Sequence, residues 1–557
     1  MSVSVSEAVG AALVELGVER AFGVVGSGNF AVTNAMIDAG ASYVAARHEG
    51  GAATMADAFA RMSGTVAVLS LHQGCGLTNA MTGITEAAKS RTPLLVLAAE
   101  TAAGATTSNF HVDQPALARA VGAVSMRVTG AASAVREAAE AYRTARDDRR
   151  TVVLNLPLDV QATTVPDDAT AIPPRARPTL PAPAADAVDR LTAILAESER
   201  PVLIAGRGAR HAAAALRELG DACGALLATS AVARGLFNGD PWNLDVSGGF
   251  STPIAAELIR GADTVVGFGC ALNMWTTRHG RLLAPGARLV QVDLDREALG
   301  RHRPIELGIV ADTALTARAV AAALTNRDGT VGEASRPAGR GYRRPEVAEH
   351  LAARRRWRDE PYEDWGGDGR VDPRTLTIAL DDLLPAERVV AVDSGNFMGY
   401  PSMFLAVPDE DGFCFTQAFQ SIGLGLATGI GAALAQPDRL PVVAVGDGGL
   451  AMSNSELDTV ARLGLPMVVV VYDDGGYGAE IHHFGRDANL ETVCFPPTDH
   501  AAVARGHGFD AVTVRAVDDL AAVGRWLEGP RDRPLLVDAK VAAPRGSWWL
   551  EEAFRGH

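Results

Sequence analysis

The sequence predicts an α/β protein with three doubly wound domains, each built on a parallel sheet with helices on both faces. Short runs rich in Val, Ile and Leu are followed by glycine and then by a helical pattern, as in PVLIAGRGA and LPVVAVGDGG. Continuous apolar runs of this kind are typical of parallel strands buried on both faces. The 557 residues are also too many for one hydrophobic core.

Two segments without apolar periodicity divide the chain into these domains. Residues 165–185 are rich in proline, and residues 326–370 are charged and rich in glycine, with room for one short helix. They predict domains at residues 1–165, 186–325 and 371–545. In doubly wound sheets, ligands bind beyond the carboxyl ends of the strands, which is where the glycine-rich segments fall.

Composition argues against several classes of function. A formal net charge of -15 disfavours nucleic acid or an anionic membrane as the main partner. No segment has 18 uninterrupted apolar residues, and the amphipathic N-terminus carries acids, so neither a membrane span nor an export signal is predicted. The five cysteines form no CxxC pair, which fits a cytoplasmic protein without a zinc site or disulfides.

A dinucleotide-binding motif near the N-terminus is the first candidate site. Gly26 and Gly28 have the G-x-G-x-x-A spacing, and Glu49 follows Gly26 by 23 residues, so an NAD(P)-binding oxidoreductase is one alternative. However, a helical pattern precedes the strand before this motif. Glu49 itself opens the helical pattern of RHEGGAATMADAFARMSG, whereas a ribose-binding acid belongs at the end of a second strand.

The segment VGDGGLAMSNSEL, residues 445–457, is the second candidate. PVVAV is predicted as a strand, residues 446–449 as a turn, and SNSELDTVARLG as a helix capped by Ser453 or Asn454. The following run, MVVVVY, predicts a second strand that ends at DDGGYG. The two strands and the helix between them form one βαβ unit with an acid after each strand.

Those two acids, Asp447 and Asp474, predict a cation site. Neighbouring parallel strands would bring them together, and two carboxylates with a carbonyl freed by glycine, at Gly476, offer the hard oxygen ligands of Mg²⁺ or Ca²⁺. Glycines also let backbone N–H groups approach a phosphate, here at Gly446, Gly448 and Gly449. The sequence therefore predicts a divalent cation that anchors a diphosphate; the alternative is that both acids cap turns.

A GDG sequence followed after about 25 residues by polar residues at a strand end resembles the thiamine-diphosphate motif. The chain resembles the acetolactate synthase, pyruvate decarboxylase and benzoylformate decarboxylase superfamily over nearly its whole length. The resemblance implies pyrimidine-binding, middle and diphosphate-binding domains in that order, with thiamine diphosphate and Mg²⁺ as cofactors. Many members carry Asn where this chain has Asp474, so the charge beside the cation is more negative here.

The resemblance also implies the residues that contact the cofactor. Glu49, in RHEGGAA, matches the glutamate that favours the imino tautomer of the aminopyrimidine, whose nitrogen then removes the thiazolium C2 proton. Ile422 would be the bulky wedge beneath the two rings, and the Gln420 carbonyl would accept from the exocyclic amine. Further contacts are implied at Asn79, Gly395, Asn396, Phe397 and Tyr477.

Three residues at positions that vary among relatives are candidates for substrate chemistry. His72 and Ser27 resemble the benzoylformate decarboxylase pattern, and Glu480, six residues after Asp474, resembles a pyruvate decarboxylase glutamate. They imply a decarboxylase or carboligase that acts on a 2-oxo acid through an enamine, with His72 shuttling protons, Ser27 holding the substrate carboxylate and Glu480 acting as acid. The alternatives are a strict acetolactate-synthase-type carboligase without aldehyde release, and structural roles for His72 and Glu480.

The resemblance further implies a homodimer or homotetramer with active sites at subunit interfaces. The middle-domain segment GFGCALNMWTTRHGRLLAPGARLVQVDLD lacks the acidic-arginine stretch that helps to hold FAD in acetolactate synthases, so no FAD is expected. The sequence assigns no role to His111, His482, His483 or the C-terminal RGSWWLEEAFRGH.

Overall fold

The computed structural model describes residues 3–328, 341–485 and 487–553. Its N-terminal domain has the strands β1 (Arg20–Gly23), β2 (Ser42–Ala45), β3 (Ala67–Leu71), β4 (Leu94–Glu100), β5 (Val124–Arg127) and β6 (Thr151–Pro157). Its helices are α1 (Val5–Glu15), α2 (Phe30–Asp38), α3 (Glu49–Ser63), α4 (Cys75–Lys89), α5 (Gln114–Ala120), α6 (Ala134–Asp147) and α7 (Leu158–Gln161). The strands form one parallel sheet in the order β2-β1-β3-β4-β6-β5. The helices connect the strands in the βαβ manner that parallel pairing requires.

The middle domain has the strands β7 (Pro201–Ala205), β8 (Leu226–Thr229), β9 (Asn243–Val246), β10 (Thr264–Phe268), β11 (Arg288–Asp293) and β12 (Leu307–Val310). Its helices are α8 (Ala185–Glu197), α9 (Ala213–Cys223), α10 (Pro253–Arg260), α11 (Met274–Thr277) and α12 (Thr313–Asp328). The sheet order is β12-β11-β10-β7-β8-β9, and the order reverses between β7 and β10. In sheets of this topology the crevice at that reversal is the usual place for a ligand.

The C-terminal domain has the strands β13 (Arg388–Val392), β14 (Phe413–Phe415), β15 (Leu440–Gly446), β16 (Val468–Asp473), β17 (Asp510–Val514) and β18 (Leu535–Lys540). Helix α13 (Pro345–Arg354) lies between the middle and C-terminal domains, in the segment 326–370 that was expected to have room for one short helix. Residues 329–340 of that segment fall outside the described residues. The helices that follow α13 are α14 (Pro373–Leu383), α15 (Gly399–Phe404), α16 (Gly425–Ala435), α17 (Asp447–Ser453), α18 (Leu457–Arg462), α19 (Gly478–Phe484), α20 (His500–Gly506), α21 (Ala521–Glu528) and α22 (Trp548–Ala553). The sheet order is β14-β13-β15-β16-β18-β17.

Three six-stranded, all-parallel sheets with interleaved helices confirm the predicted fold class. The valine and leucine runs lie where the sequence predicts buried strands: β3, β4, β13 and β16 are buried along their whole length. Among the described residues, no helix is both long and apolar enough to cross a membrane.

The N-terminal and C-terminal domains of one chain share a hydrophobic core. Helix α3 packs against α16, and buried side chains from both, such as Met55 and Ile430, belong to the same cluster. Gly431 of α16 lies so close to the Met55 backbone that a larger residue would clash. The two domains are therefore held in a fixed orientation by close packing between these helices.

One local prediction was wrong. Residues 446–449 were expected to form a turn before a helix capped at Ser453 or Asn454, but α17 begins at Asp447 itself. A short 3-10 turn follows, and α18 then runs to Arg462, just before Gly464 with its positive φ of 63°. Glycine has low helix propensity, so the sequence did not indicate a helix at these residues. The helix can still begin here, because the N–H groups of a first helical turn need few intrahelical acceptors.

Candidate active site

The carboxyl ends of three adjacent strands in the C-terminal sheet bring three acids together. Asp393 follows β13, Asp447 follows β15, and Asp474 follows the last residue of β16. Strand β15 pairs in parallel with both β13 and β16, so all three acids lie at the same edge of the sheet. The predicted proximity of Asp447 and Asp474 therefore agrees with the sheet register.

A cavity of about 480 Å³ lies over these strand ends. It extends toward the middle domain, where Gly206 and Gly269, after β7 and β10, also line it. Arg207 contributes a cation whose pKa is lowered to about 10 by burial. The residues predicted from the sequence that line this cavity are Gly395, Asn396, Phe397, Gln420, Ile422, Gly446, Asp447, Gly448, Gly449, Asp474, Gly476, Tyr477 and Glu480.

The carboxylates at the floor of the cavity are electrostatically costly without a cation. The pKa of Asp447 is raised to about 8, mainly by burial and then by the carboxylates of Asp474 and Asp473. Burial also raises the pKa of Asp474 to about 6. Asp473, in contrast, has a cationic partner, because Lys540 forms an ion pair with its carboxylate. Two acids whose ionised forms are this unfavourable fit a site for a divalent cation.

Asp447 and Asp474 supply only two carboxylates, so a cation at this edge would need further oxygen ligands. Among the described residues, no three His, Cys, Asp or Glu side chains are grouped to hold a metal ion. Asp447 and Asp474 would therefore act together with backbone oxygens, such as the Gly476 carbonyl, and with oxygens of a bound phosphate. The Gly476 carbonyl accepts a hydrogen bond from the Gly478 N–H at 3.1 Å and keeps a second lone pair.

The glycines of the GDGG sequence are required by close contacts. A side chain at Gly448 would approach the Tyr477 ring to 2.5 Å. A side chain at Gly449 would clash with the carboxylate of Asp393. The bare backbone leaves N–H groups at the start of α17 accessible to the cavity, an arrangement that suits a phosphate group.

Asp393 is a residue of this site that the sequence analysis missed. It is fully buried, and its carboxylate accepts hydrogen bonds from the backbone N–H groups of Ser394 at 2.8 Å, Gly423 at 3.0 Å and Leu424 at 3.2 Å. Burial raises its pKa to about 6. It thereby fixes the chain next to Ile422. Its position directly after the apolar run RVVAV was the available signal, because Asp447 follows PVVAV in the same way.

The backbone of Gln420 is in an unusual conformation. Its φ is 61°, in the left-handed region that residues other than glycine rarely adopt. Both Gln420 and Ile422 line the cavity, so this strain lies inside the candidate site. Such strain persists only where surrounding contacts enforce it, and it is common at ligand-binding positions.

The predicted residues of the N-terminal domain form a second group, at the carboxyl ends of β1, β2 and β3. Asn79 donates a hydrogen bond to the Glu49 carboxylate at 3.0 Å, and the Gly28 N–H donates to His72 Nδ1 at 3.2 Å. The pKa of His72 is lowered by burial, and the nearby Glu49 carboxylate opposes this shift only partly. Ser27 is exposed beside them.

The two glycines of the dinucleotide-like motif are explained by their neighbours. A side chain at Gly26 would come within 2.8 Å of the His72 ring, and one at Gly28 would clash with Gln73. Glu49 is the first residue of α3 and does not end a strand. The tight packing of His72 and Gln73 accounts for both glycines without a pyrophosphate.

Within the described residues of this single chain, the two groups do not line one cavity. Ser27, Glu49, His72 and Asn79 are absent from the cavity that holds Asp447 and Asp474. Phe30 and Phe110, near the N-terminal group, expose 57% and 44% of their surface. The structure thus separates the predicted site residues into a pyrimidine group (Ser27, Glu49, His72, Asn79) and a diphosphate group (the cavity residues).

The C-terminal segment covers part of the diphosphate group. The Ser547 hydroxyl donates to the Asn396 carbonyl at 2.8 Å, and the Trp549 indole donates to the same carbonyl at 3.1 Å. Asn396 in turn donates to Asp474 at 3.3 Å. Leu550 lines the cavity. This segment therefore supports the loop that carries Asn396.

The fold and these two groups of residues define a thiamine-diphosphate-dependent enzyme of the lyase or transferase class. Family models for thiamine pyrophosphate enzymes match all three domains: the N-terminal TPP binding domain at residues 3–120, the central domain at 188–320 and the C-terminal TPP binding domain at 393–539. The chain belongs to the thiamine pyrophosphate enzyme family.

Named relatives include both transferases and decarboxylases. The chain is 28% identical to a sulfoacetaldehyde acetyltransferase of Rhodobacter capsulatus, covering 93% of this chain and 91% of the relative. It is 29% identical to a probable 2-ketoarginine decarboxylase of Pseudomonas aeruginosa, with 93% and 91% covered. The Escherichia coli acetolactate synthase isozyme 2 large subunit is 27% identical, with 97% and 96% covered.

A solved structure shares the fold along nearly the full length. The thiamine diphosphate-dependent 4-hydroxybenzoylformate decarboxylase of Rhodococcus jostii RHA1 superposes with a TM-score of 0.81 at 23% identity, covering 97% of this chain and 99% of the other. At this level of identity the likeness establishes the three-domain architecture.

Proposed function

We propose that this protein is a Mg²⁺-dependent thiamine-diphosphate enzyme that decarboxylates a 2-oxo acid. The acyl carbanion equivalent left after loss of CO₂ would either take up a proton, giving an aldehyde, or add to a second carbonyl. The observation that carries the proposal is the pair Asp447 and Asp474 at adjacent strand ends, with raised pKa values that a divalent cation would relieve. These carboxylates would hold Mg²⁺, and the backbone at Gly448 and Gly449 would hold the diphosphate. Bound thiamine diphosphate would supply the electron sink for loss of CO₂.

The pyrimidine group would activate the cofactor. Glu49 would hold the aminopyrimidine ring by a hydrogen bond, and Asn79, which already donates to Glu49, would fix the carboxylate orientation. The carbonyl of Gln420, whose backbone is in the left-handed region, would accept from the exocyclic amine. Ile422 would support the two rings. These roles rest on the family resemblance and on the contacts around each residue.

Three groups would act on the substrate. His72, whose pKa is lowered by burial, would accept or return a proton. Ser27, exposed beside it, would hold the substrate carboxylate. Glu480 lines the cavity from α19 and would serve as acid or position a water molecule. This supply of proton-transfer groups favours aldehyde release with carboligation as a second outcome, over strict acetolactate synthesis.

We propose a homodimer or homotetramer with active sites at subunit interfaces. The separation of the pyrimidine and diphosphate groups in one chain supports this, since a second copy could bring its pyrimidine group to the first copy's cavity. Exposed Phe30 and Phe110 beside the pyrimidine group, and exposed Met452 in α17, offer apolar area for such a contact. A cytoplasmic location fits the five free cysteines.

Thermal unfolding tests the cofactor assignment. Thiamine diphosphate with Mg²⁺ should raise the midpoint of the metal-stripped protein, because a ligand stabilises the state that binds it. Asp447→Ala should abolish this shift, whereas Glu49→Gln should retain most of it. A response to NADH without a response to thiamine diphosphate would instead favour the oxidoreductase alternative. The purified protein should lack flavin absorbance, in line with the expected absence of FAD.

Product analysis tests the reaction. Pyruvate and benzoylformate should each be tested with the loaded protein, and released aldehyde should be measured beside carboligation products. Aldehyde release supports the proposed decarboxylation. Acetolactate without any aldehyde would favour the strict carboligase.

A further inference from the structure

A buried glutamate links the diphosphate domain to the backbone that carries Glu49. Glu456 lies in the short turn between α17 and α18 and is only 1% exposed. Its carboxylate accepts hydrogen bonds from the backbone N–H groups of Arg47 at 3.1 Å and His48 at 3.0 Å, and from the Thr459 hydroxyl at 2.6 Å. His48 is the N-cap of α3, and Glu49 is the first residue of that helix.

A second buried glutamate makes the reverse connection. Glu86, in α4 of the N-terminal domain, accepts from the backbone N–H groups of Ala418 at 3.0 Å and Phe419 at 2.6 Å, immediately before Gln420. Burial alone would raise the pKa of Glu86, but Arg61, at 2.7 Å, and these N–H groups lower it overall. The carboxylate therefore stays ionised as an acceptor for the strained segment.

We propose that Glu86 and Glu456 are reciprocal positioning residues: each reaches across the domain boundary to fix the backbone that presents a cofactor-binding residue of the other domain. Glu456 positions Glu49, and Glu86 positions Gln420. The inference rests on the proposed function, because it takes Glu49 and Gln420 as the groups that engage the aminopyrimidine.

The chemistry of these contacts goes beyond domain packing. Apolar side chains would join two domains at least as well as buried carboxylates, which lose their hydration on burial. Two N–H groups that donate to one carboxylate constrain the orientation of the backbone that carries them. Such charge-assisted hydrogen bonds are also stronger than neutral ones. The N-cap backbone sets where the first helical residue points. Fixing Arg47 and His48 therefore fixes Glu49.

Gly51 shows that the sequence makes room for Glu456. Glycine inside a helix is destabilising relative to alanine, yet Gly51 lies in the first turn of α3. A side chain at this position would clash with the carboxylate of Glu456. Gly51→Ala should therefore displace the carboxylate while improving the intrinsic helix propensity, which makes it a second variant independent of Glu456 itself.

The test uses four variants around Glu456 and one at Glu86. Glu456→Ala and Gly51→Ala disrupt the contact, and Glu456→Gln keeps an oxygen that can still accept. Asp458→Ala is the matched control, because Asp458 pairs with the exposed guanidinium of Arg47 at 2.6 Å without touching its backbone. Glu86→Gln replaces one acceptor oxygen by a donor and avoids the larger loss that removal beside Arg61 would cause.

Two readouts separate positioning from stability. The first is backbone amide hydrogen exchange at residues 47–48 in the full-length protein without cofactor. Glu456→Ala and Gly51→Ala should raise it at least about tenfold, and Glu456→Gln should stay within about threefold of wild type. The second is exchange of the C2 proton of bound thiamine diphosphate for deuterium, which should slow at least about tenfold in the same two variants. Asp458→Ala should match wild type in both.

For Glu86→Gln, faster amide exchange at residues 418–419 with slower C2-proton exchange is the supporting result. Lower melting temperatures with unchanged exchange in both readouts would overturn the inference, since the glutamates would then serve packing alone. If wild-type protein fails to bind thiamine diphosphate, the proposed function fails. The amide readout still decides whether the glutamates hold the backbone: lost protection supports the contact, and retained protection overturns it.

Discussion

The N-terminal and C-terminal sheets have equivalent strand orders, β2-β1-β3-β4-β6-β5 and β14-β13-β15-β16-β18-β17, yet their carboxyl ends carry different kinds of site. In the C-terminal sheet, Asp447 and Asp474 line a cavity that also contacts the middle domain and the C-terminal segment, and the buried Asp393 follows the neighbouring strand. In the N-terminal sheet, the corresponding edge presents the pyrimidine group beside exposed aromatic side chains. The same topology thus supports an enclosed acidic site and an open polar surface.

This difference follows from what covers each edge. The diphosphate group is preorganised within one chain, and its acids are held at an energetic cost that a cation would remove. The pyrimidine group carries little electrostatic cost from buried carboxylates, because Glu49 is partly exposed and already accepts a hydrogen bond from Asn79. The diphosphate group of the proposed site is therefore suited to bind a cation, and the pyrimidine group is suited to contact a second protein surface.

Mixing two inactive variants gives the largest expected effect. In the proposed dimer, Glu49→Gln and Asp447→Ala homodimers should each lose at least about a hundredfold in activity, because one removes the group proposed to activate the cofactor and the other a proposed cation ligand. A hybrid dimer, selected with two affinity tags, should regain about half the wild-type activity per dimer, since one of its two interfaces then has both groups intact. Activity as low as that of the parents would place both groups in one chain's site.

The pH dependence of the metal-free protein tests the cost of the acidic site. Asp447 has a pKa raised from 3.8 to about 8 in the folded state. Between about pH 4 and pH 8 the folded state therefore binds more protons than the unfolded state, so stability should fall as pH rises, by on the order of a few kcal/mol.

Asp447→Asn should flatten this slope and stabilise the metal-free protein at pH 8, even though it removes a proposed cation ligand. Denaturant midpoints at pH 5, 6, 7 and 8, with and without Mg²⁺ and thiamine diphosphate, measure the effect. Equal slopes for the variant and wild type would show that Asp447 is not the group responsible.

His72 tests whether the pyrimidine group also performs proton transfer. His72→Asn should lower kcat by about 10- to 100-fold with little change in cofactor affinity, because it removes the imidazole of the pyrimidine group, which is proposed to transfer the proton. Burial lowers its pKa, so the acid limb of the wild-type pH–rate profile should lie below the ordinary histidine value of 6.5. An unchanged kcat and acid limb in His72→Asn would assign His72 to the packing against Gly26 alone.

The sequence predicted the diphosphate group better than the contacts that support it. Apolar runs ending in glycine and acid are local signals, so Asp447 and Asp474 could be placed at adjacent strand ends before the structure was known. Glu456 could not, because the Arg47 backbone N–H that donates to its carboxylate is 409 residues away in the sequence. In the sequence Glu456 resembles an ordinary acid near a helix start. The separation of the two groups in one chain also depends on domain packing, which no local pattern encodes.

The smallest expected effect is at Asp474, a position where the family resemblance implies that asparagine is also accepted. Asp474→Asn would keep an oxygen ligand and lower the negative charge that helps to raise the pKa of Asp447. We expect the metal-free protein to become more stable at pH 8, and the affinity for Mg²⁺ with thiamine diphosphate to change by no more than about threefold, because Asp447 and the Gly476 carbonyl remain. Calorimetric titration of the metal-stripped protein measures the affinity. A loss of affinity as large as that of Asp447→Ala would mean that cation binding at this edge of the sheet needs both negative charges. Asparagine could then not replace Asp474 in this protein.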